Sequence, residues 1–135
     1  MAIITESGDL SVGVRILDCD HREMADAIRE LHAAAMADQD RSLTGPLLRR
    51  LAHFTMTHFA LEEGMMGATK YPERAAHRLN HQRMIVELKA MAARHSRGQL
   101  ALTPDALSIL SEWHLEHVQR DDLRYGSWLN QIPRV

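Results

Sequence analysis

Two pairs of side chains at helical spacing constrain this chain more than any other feature. His58 and Glu62 are four residues apart, and so are His77 and His81. On an α-helix of about 3.6 residues per turn, residues i and i+4 lie on the same face, one turn apart. Each pair can therefore direct two donor atoms at one point. The linker between the pairs carries two glycines and a proline, so we predict a helical hairpin with four metal-binding side chains facing inward.

The composition favours helices throughout. The chain has 135 residues, which fits one domain with a real core, and 45% of them are hydrophobic while only 4% are aromatic. Leu, Ala, Ile and Met supply the apolar mass, and Ala, Leu, Met, Glu, Arg and Gln all favour helices. Runs of alternating β-branched residues are missing. The sequence therefore predicts an all-α protein.

Charge and hydropathy exclude several classes of partner. The net charge of −2 gives no electrostatic reason to expect a nucleic acid. No apolar run approaches the roughly 18 residues of a membrane span, and the N-terminus lacks the pattern of a signal peptide. The single cysteine, Cys19, fits a reducing compartment. We expect a cytoplasmic protein with no membrane span, present as a monomer or a weak dimer.

Apolar residues at three- and four-residue intervals predict four helices after an N-terminal arm. We assign residues 1–17 to the arm and residues 18–135 to a single four-helix bundle. Val12, Val14, Ile16 and Leu17 are expected to pack the arm against the bundle. The first helix is predicted to begin at Asp18 or Asp20, either of which can cap it, and to fade around residues 38–40.

Turn and cap residues bound the other three helices. The second is predicted to begin at residues 44–46 and to end at Gly64 or Met66, and the third to run from residue 72 to a stop at Gly98. Thr103 and the proline after it open the fourth, which Gly126 is expected to break or end, leaving residues 127–129 as a short C-terminal element. Connections of roughly 5–9 residues favour an antiparallel up-down-up-down bundle.

Further candidate ligands alternate between the starts and the ends of these helices. His21 lies at the start of the first helix, and the His58 pair lies near the end of the second. The His77 pair lies near the start of the third, and His117, Asp121 and Asp122 lie near the end of the fourth. In an antiparallel bundle this alternation brings all of them to the same end.

Four motifs resemble those of the hemerythrin family in its single-domain bacterial form, over about residues 12–130. They are Asp18-Cys19-Asp20-His21, His58-Phe59-Ala60-Leu61-Glu62-Glu63, His77-x-x-x-His81 and Trp113-x-x-x-His117-Val118-x-x-x-Asp122-x-x-Tyr125. All seven metal ligands of the family find a match, in order.

The resemblance implies two iron ions inside the bundle, cycling between Fe2+ and Fe3+ with a bridging oxo or hydroxo group. By this likeness His77, His81 and His117 hold one iron, and His21 and His58 hold the other. Glu62 and Asp122 bridge the two, and the second iron keeps an open position for dioxygen. The apolar walls of the dioxygen pocket fall, by the same likeness, on Met24, Phe59, Trp113 and Val118.

Asp122 raises a geometric difficulty, because it is five residues after His117 and points about 140° away from it on a regular helix. Asp121, at i+4, is better aligned. The family pattern selects Asp122, and a local distortion of the helix would reconcile the two. Asp18 and Glu63 are candidates to accept a hydrogen bond from a ligand histidine, and Asp20 is interpreted as a helix cap.

Four histidines remain outside the ligand set: His32, His53, His95 and His114. His53 is either an outer hydrogen-bond partner of the site or a solvent-exposed residue. His114 is a minor competitor for a ligand position, because it precedes His117 by three residues. His95 is interpreted as complementing a helix dipole. For Cys19, simple packing is favoured over a redox role.

The function expected from the resemblance is reversible binding of dioxygen for transport, storage or delivery to an unknown oxygen-using enzyme. The alternatives are an oxygen or redox sensor and a di-iron enzyme acting on peroxide or nitric oxide. Five histidines with two carboxylates form a nitrogen-rich ligand set, unlike the Glu-x-x-His motifs of ferritin-like proteins. We therefore favour a binding protein over an enzyme, with at most weak peroxidase or oxidase activity.

Overall fold

The chain folds as a bundle of antiparallel helices. A computed structural model describes residues 11–37, 41–99 and 101–132, and within these ranges the regular structure is entirely helical. Helix α1 spans Arg15–Ala37, α2 Arg41–Thr69, α3 Arg74–Ser96 and α4 Pro104–His117. A π-helical turn, Val118–Asp122, joins α4 directly to α5, Leu123–Asn130. The predicted four-helix bundle is confirmed, and α4, the π turn and α5 together form its fourth helix.

The start of α1 differs from the prediction. The helix begins at Arg15, three residues before Asp18. The Asp18 carboxylate accepts hydrogen bonds from the Val12 backbone N–H at 2.7 Å and from the Ser11 hydroxyl at 3.0 Å, so it ties the preceding segment to the helix. Val12 and Leu17 are buried as expected, but Ile16 is 48% exposed. The rest of the predicted arm, residues 1–10, lies outside the described residues.

Helix α2 is longer than predicted at both ends. It begins at residue 41 rather than at residues 44–46, and it passes through Gly64 and Met66 to residue 69. It stops where Lys70 adopts a left-handed conformation, with φ of 59°. There the Tyr71 N–H donates to the Met66 carbonyl at 2.9 Å, which is the bond pattern of a Schellman C-cap. The predicted fade of α1 at residues 38–40 lies outside the described residues.

The boundaries of α3 and α4 lie close to the predicted positions. Helix α3 begins two residues after Pro72 and ends before Gly98, which takes a left-handed φ of 73°. Thr103 caps α4, and its hydroxyl oxygen accepts the Ala106 N–H at 3.2 Å.

The predicted break at Gly126 is wrong, because α5 continues through this residue. Gly126 is needed for close packing instead. A Cβ atom there would lie 2.1 Å from the Val12 carbonyl oxygen. The fourth helix is irregular before Gly126, in the π turn.

Two apolar clusters form the core. One cluster includes Leu31, Leu48, Leu88 and Leu107, and the other includes Leu17, Met66, Tyr71, Val118 and Tyr125. Along α1 and α2 the predicted ligands lie between the residues of the two clusters, so apolar packing on both sides fixes the helices that carry them. No helix in the described ranges has the length and hydropathy to cross a membrane.

Candidate metal centre

The seven predicted ligands meet at one level of the bundle. They come from α1, α2, α3, α4 and the π turn, and each is at most 5% exposed. Their donor atoms fall into two groups, within each of which all donor atoms lie within 4.8 Å of one another. One group is Glu62, His77, His81, His117 and Asp122, and the other is His21, His58, Glu62 and Asp122. The two carboxylates belong to both groups.

Each shared carboxylate divides its two oxygens between the groups. Oε1 of Glu62 lies 2.6 Å from Nε2 of His77 and 3.3 Å from Nε2 of His81. Oε2 of the same residue lies 3.5 Å from Nε2 of His58. Asp122 repeats the pattern, with Oδ1 3.1 Å from Nε2 of His117 and Oδ2 2.9 Å from Nε2 of His21. This arrangement suits carboxylates that bridge two cations.

The π turn explains how Asp122 reaches the centre. The Leu123 N–H bonds to the Val118 carbonyl, five residues back, so the turn contains more residues than an α-helical one. Position i+5 from His117 therefore returns to the same face. Asp121 faces the outer side of His117, where its carboxylate accepts the Nδ1–H at 3.1 Å. The anticipated helix distortion is thus present.

Three carboxylates orient the ligand rings from outside. Asp20 lies 2.8 Å from Nδ1 of His58, and Glu63 lies 2.9 Å from Nδ1 of His81, in addition to the Asp121 contact. A proton held at Nδ1 leaves the Nε2 lone pair facing the centre. The interpretation of Glu63 is confirmed. The interpretation of Asp20 as a helix cap is wrong, because its carboxylate contacts His58 instead.

Asp18, the other predicted partner, contacts Ser11 and Val12 rather than a ligand histidine. Position alone does not separate Asp18 from Asp20, since both precede His21 on the same helix. Only the packing of α1 against α2 shows which carboxylate reaches His58.

Buried polar atoms at the centre fit two metal ions. Nε2 of His58 and of His77 and both oxygens of Glu62 and of Asp122 have no hydrogen-bond partner among the described residues. When the Nε2 atoms are unprotonated, as metal binding requires, these short contacts bring lone pairs together. For bonds of about 2.1 Å, two adjacent ligands of an octahedral ion lie about 3 Å apart. The 3.1 Å between Nε2 of His81 and Nε2 of His117 has this length. Imidazole and carboxylate donors together suit iron.

Without a bound cation, protons on the histidines would balance the charge of the two carboxylates. Burial lowers the pKa of His77, but the close carboxylates of Asp122 and Glu62 raise it overall to about 9. Burial also lowers the pKa of His117, but the negative charge of Asp122 raises it overall to about 10. Burial raises the pKa of Glu62, but the surrounding histidines bring it down to about 2. Burial also raises the pKa of Asp122, but His117, His21 and His77 lower it overall, so both buried carboxylates stay ionised and require positive charge beside them.

The four predicted pocket residues lie on different sides of the centre. Met24 and Trp113 line a small cavity between the helices. The Phe59 ring stacks on the ring of His81, with centroids 3.7 Å apart. Val118 packs in the core cluster that contains Tyr125. Their role towards dioxygen stays a prediction.

His114, named above as a minor competitor for a ligand position, also lies near the centre. It is 2% exposed, and its Nε2 lies 3.2 Å from the His21 carbonyl oxygen. Burial lowers its pKa to about 4, so the ring is neutral at pH 7. It belongs to neither donor group. Its spacing of three residues from His117 was the only signal of its position.

Two other histidines lie away from the donor groups. His95 lies in the last turn of α3, as expected, but it is buried and its ring lies 3.1 Å from the Thr44 hydroxyl. His53 is exposed and lines an outer groove between α1 and α2. Cys19 is also exposed, and Arg22 donates to its sulfur at 3.5 Å.

Comparison with known proteins agrees with this geometry. The family model described as the hemerythrin HHE cation binding domain matches residues 12–129. The chain belongs to the hemerythrin family. The family implies oxygen binding at a non-haem di-iron centre, and the two donor groups are able to hold metal ions.

Relatives match nearly the whole chain. Bacteriohemerythrin of Stenotrophomonas maltophilia is 30% identical over 138 residues, covering 99% of this chain and 89% of that protein. Bacteriohemerythrin of Methylococcus capsulatus is 26% identical over 131 residues, covering 96% and 99%. A solved structure of wild-type hemerythrin superposes with a TM-score of 0.86 at 25% identity, covering 93% of this chain and 97% of that one. The hemerythrin fold therefore extends over nearly all of both chains.

Proposed function

We propose that this hemerythrin binds dioxygen reversibly, as a carrier, a store or a delivery protein. The observation that supports this most strongly is the pair of buried donor groups that share Glu62 and Asp122. Reversible binding requires a centre that water does not reach, and the ligands are at most 5% exposed. It also requires ions held close together, which two bridging carboxylates favour by offsetting the repulsion between the cations.

The distances support the assignment of these residues to two ions. His77, His81 and His117 would hold one iron, and His21 and His58 would hold the other. Glu62 and Asp122 would give one oxygen to each ion, as the division of their contacts suggests. With one bridging oxo or hydroxo group, the first ion would have six ligands and the second only five. The second ion would therefore keep one position for a small exogenous ligand.

The protein's own groups would support binding in three ways. The outer carboxylates Asp20, Glu63 and Asp121 hold the Nδ1 protons and keep each Nε2 lone pair directed inward. Phe59 fixes the His81 ring by stacking on it. Met24 and Trp113 provide an apolar wall that limits access of solvent protons.

The iron pair, when bound, supplies the electrons that dioxygen accepts. The ligand set sets how far that chemistry goes. Five neutral imidazoles and two carboxylates stabilise high-valent iron less than a carboxylate-rich set does. This favours reversible binding over oxidation of a substrate. We accordingly expect no physiological turnover, and we expect a cytoplasmic monomer or weak dimer that supplies oxygen to another protein.

The test is an absorption spectrum of reduced, iron-loaded protein exposed to air and then degassed. We expect a band in the visible or near-ultraviolet region that appears with oxygen and disappears on its removal, over repeated cycles. Zinc-loaded protein, which has the same ligands without redox chemistry, should show no band. Irreversible oxidation with release of peroxide in the first cycle would contradict the proposal.

A further inference from the structure

The three carboxylates behind the ligand histidines differ in how many other groups contact them. Asp121 has the most partners. Its Oδ2 accepts the His117 Nδ1–H and a hydrogen bond from Asn80 Nδ2 at 3.3 Å, and its Oδ1 lies 3.6 Å from Nε of Arg120. The Arg120 guanidinium is also held by the Glu116 carboxylate at 3.0 Å. Each oxygen of Asp121 therefore has a donor besides the ligand histidine or in place of it.

Glu63 has one such partner, and Asp20 has none in the part of the chain that the structure describes. Oε2 of Glu63 lies 2.9 Å from Nδ1 of His81, and its Oε1 lies 3.4 Å from Nε of Arg78. Asp20 contacts Nδ1 of His58, and within the same ranges no arginine or lysine pairs with it. The three carboxylate side chains are 12–23% exposed, so solvent reaches all of them, and the fixed partners make the difference.

These partners change how strongly each histidine can donate to a metal ion. A carboxylate that accepts the Nδ1–H of a metal-bound histidine raises the basicity of the ring. A guanidinium on the same carboxylate attracts part of its negative charge and makes it a weaker acceptor. The distances from Nδ1 to oxygen follow this order, with 2.8 Å at His58, 2.9 Å at His81 and 3.1 Å at His117. His58 lies in the smaller donor group, and the other two lie in the larger one.

We propose that Arg78 and Arg120 are positioning residues that weaken the carboxylates behind His81 and His117, so that the histidines of the two donor groups differ in donor strength. The consequence for iron rests on the proposed function. The ion that keeps an open position has the more strongly donating His58, which favours the Fe3+ state of that ion over the Fe3+ state of its neighbour.

Substitutions of the two arginines leave every ligand and every outer carboxylate in place. Arg78→Gln and Arg120→Gln each remove one guanidinium, and Arg78→Lys and Arg120→Lys restore the charge. Arg94→Gln is the matched control. Arg94 is exposed on the same helix as Arg78, about 24 Å along its axis, and it forms no ion pair within the described ranges.

The first readout is the proton resonance of each histidine Nδ1–H in zinc-loaded protein, which needs no redox chemistry and reports the strength of each hydrogen bond. We expect the His58 resonance to lie farthest downfield of the three. Arg78→Gln should move only the His81 resonance downfield, and Arg120→Gln only that of His117. Unchanged resonances in both Gln variants, or a His58 resonance upfield of the other two, would overturn the proposal.

The second readout is the overall Zn2+ affinity, measured by competition with a chelator at low ionic strength. We expect Arg78→Gln and Arg120→Gln to bind Zn2+ about two- to five-fold more tightly, the scale of one exposed ion pair. In 1 M salt, where the screening length is about 3 Å, the difference should disappear. The Lys variants and Arg94→Gln should match the natural protein. Weaker binding by the Gln variants would show that the arginines only hold the structure, and would refute the proposal.

The third readout is the reduction potential of the iron-loaded proteins. Both Gln variants should have a lower potential than the natural protein, because stronger donors favour Fe3+. Asp20→Asn should have a higher one, because a neutral amide accepts the His58 proton less strongly than a carboxylate does. Equal potentials would refute the consequence for iron. If the natural protein oxidises irreversibly in air, the proposed function fails, and the zinc resonances still decide the donor strengths.

Discussion

Loading the metal-free protein with iron should release protons, because the cations replace protons held by the histidines beside the two buried carboxylates. His77 and His117 have pKa values of about 9 and about 10 in the metal-free state. At pH 7 both are therefore ~99% protonated. Iron binds only the neutral ring. Full loading should thus release about two protons from these two residues, and a hydroxide bridge formed from water would add to that number.

The assay is calorimetric titration of metal-free protein with Fe2+ in the absence of oxygen at pH 7. Two buffers of different ionisation enthalpy give the proton number from the difference in the observed heats. The affinity should also rise with pH between about 6.5 and 8, by about two log units per pH unit. The exposed His53 provides the control, and His53→Gln should leave the proton number unchanged. A release of less than one proton per chain would refute the charge balance described for this centre.

Three further predictions follow from the same contacts. For the two histidines with raised pKa, the stability of the metal-free protein should be fully present below pH 6.5 and be lost as the pH rises through about 9 to 10, as followed by thermal unfolding. Gly126→Ala should lower the free energy of unfolding by about 1–3 kcal/mol in a denaturant titration, because its Cβ would meet backbone at 2.1 Å. Gly64→Ala is the control, since nothing lies within 4 Å of that Cβ, and it should stabilise by about 0.5–1 kcal/mol; equal effects would contradict this packing. Asp122→Ala should abolish loading of two irons per chain, whereas Asp121→Ala should retain the stoichiometry with roughly 10–100-fold weaker binding; the reverse order, measured by metal analysis, would show that the two residues are exchanged.

Helical periodicity predicts the bundle well because its signal is repeated over four long segments. Each helix carries apolar residues every three or four positions, and the caps at Thr103 and Gly98 mark real ends. The same reasoning fails at Gly126. A glycine in a helix reads as a break when the sequence is considered alone, whereas here it allows the Val12 backbone to approach α5. That contact joins residues more than a hundred positions apart, and local patterns carry no information about it.

The candidate metal centre also contains residues that the sequence predicts and residues that only the packed structure shows. The i, i+4 pairs are visible in the sequence because helix geometry alone places them on one face. This rule does not predict Asp122, because its position depends on the π turn. No repeated sequence pattern marks that turn. The outer carboxylate Asp20 and the buried His114 are likewise visible only once α1 is packed against α2 and α4.

Anomalous diffraction at the iron absorption edge, from crystals of the iron-loaded protein, locates the metal ions themselves. We predict two iron atoms per chain, about 3.5 Å apart, both bound by Glu62 and Asp122. One should contact Nε2 of His77, His81 and His117, and the other Nε2 of His21 and His58. A single iron per chain, or an iron bound by Asp121 or His114 in place of these residues, would contradict it.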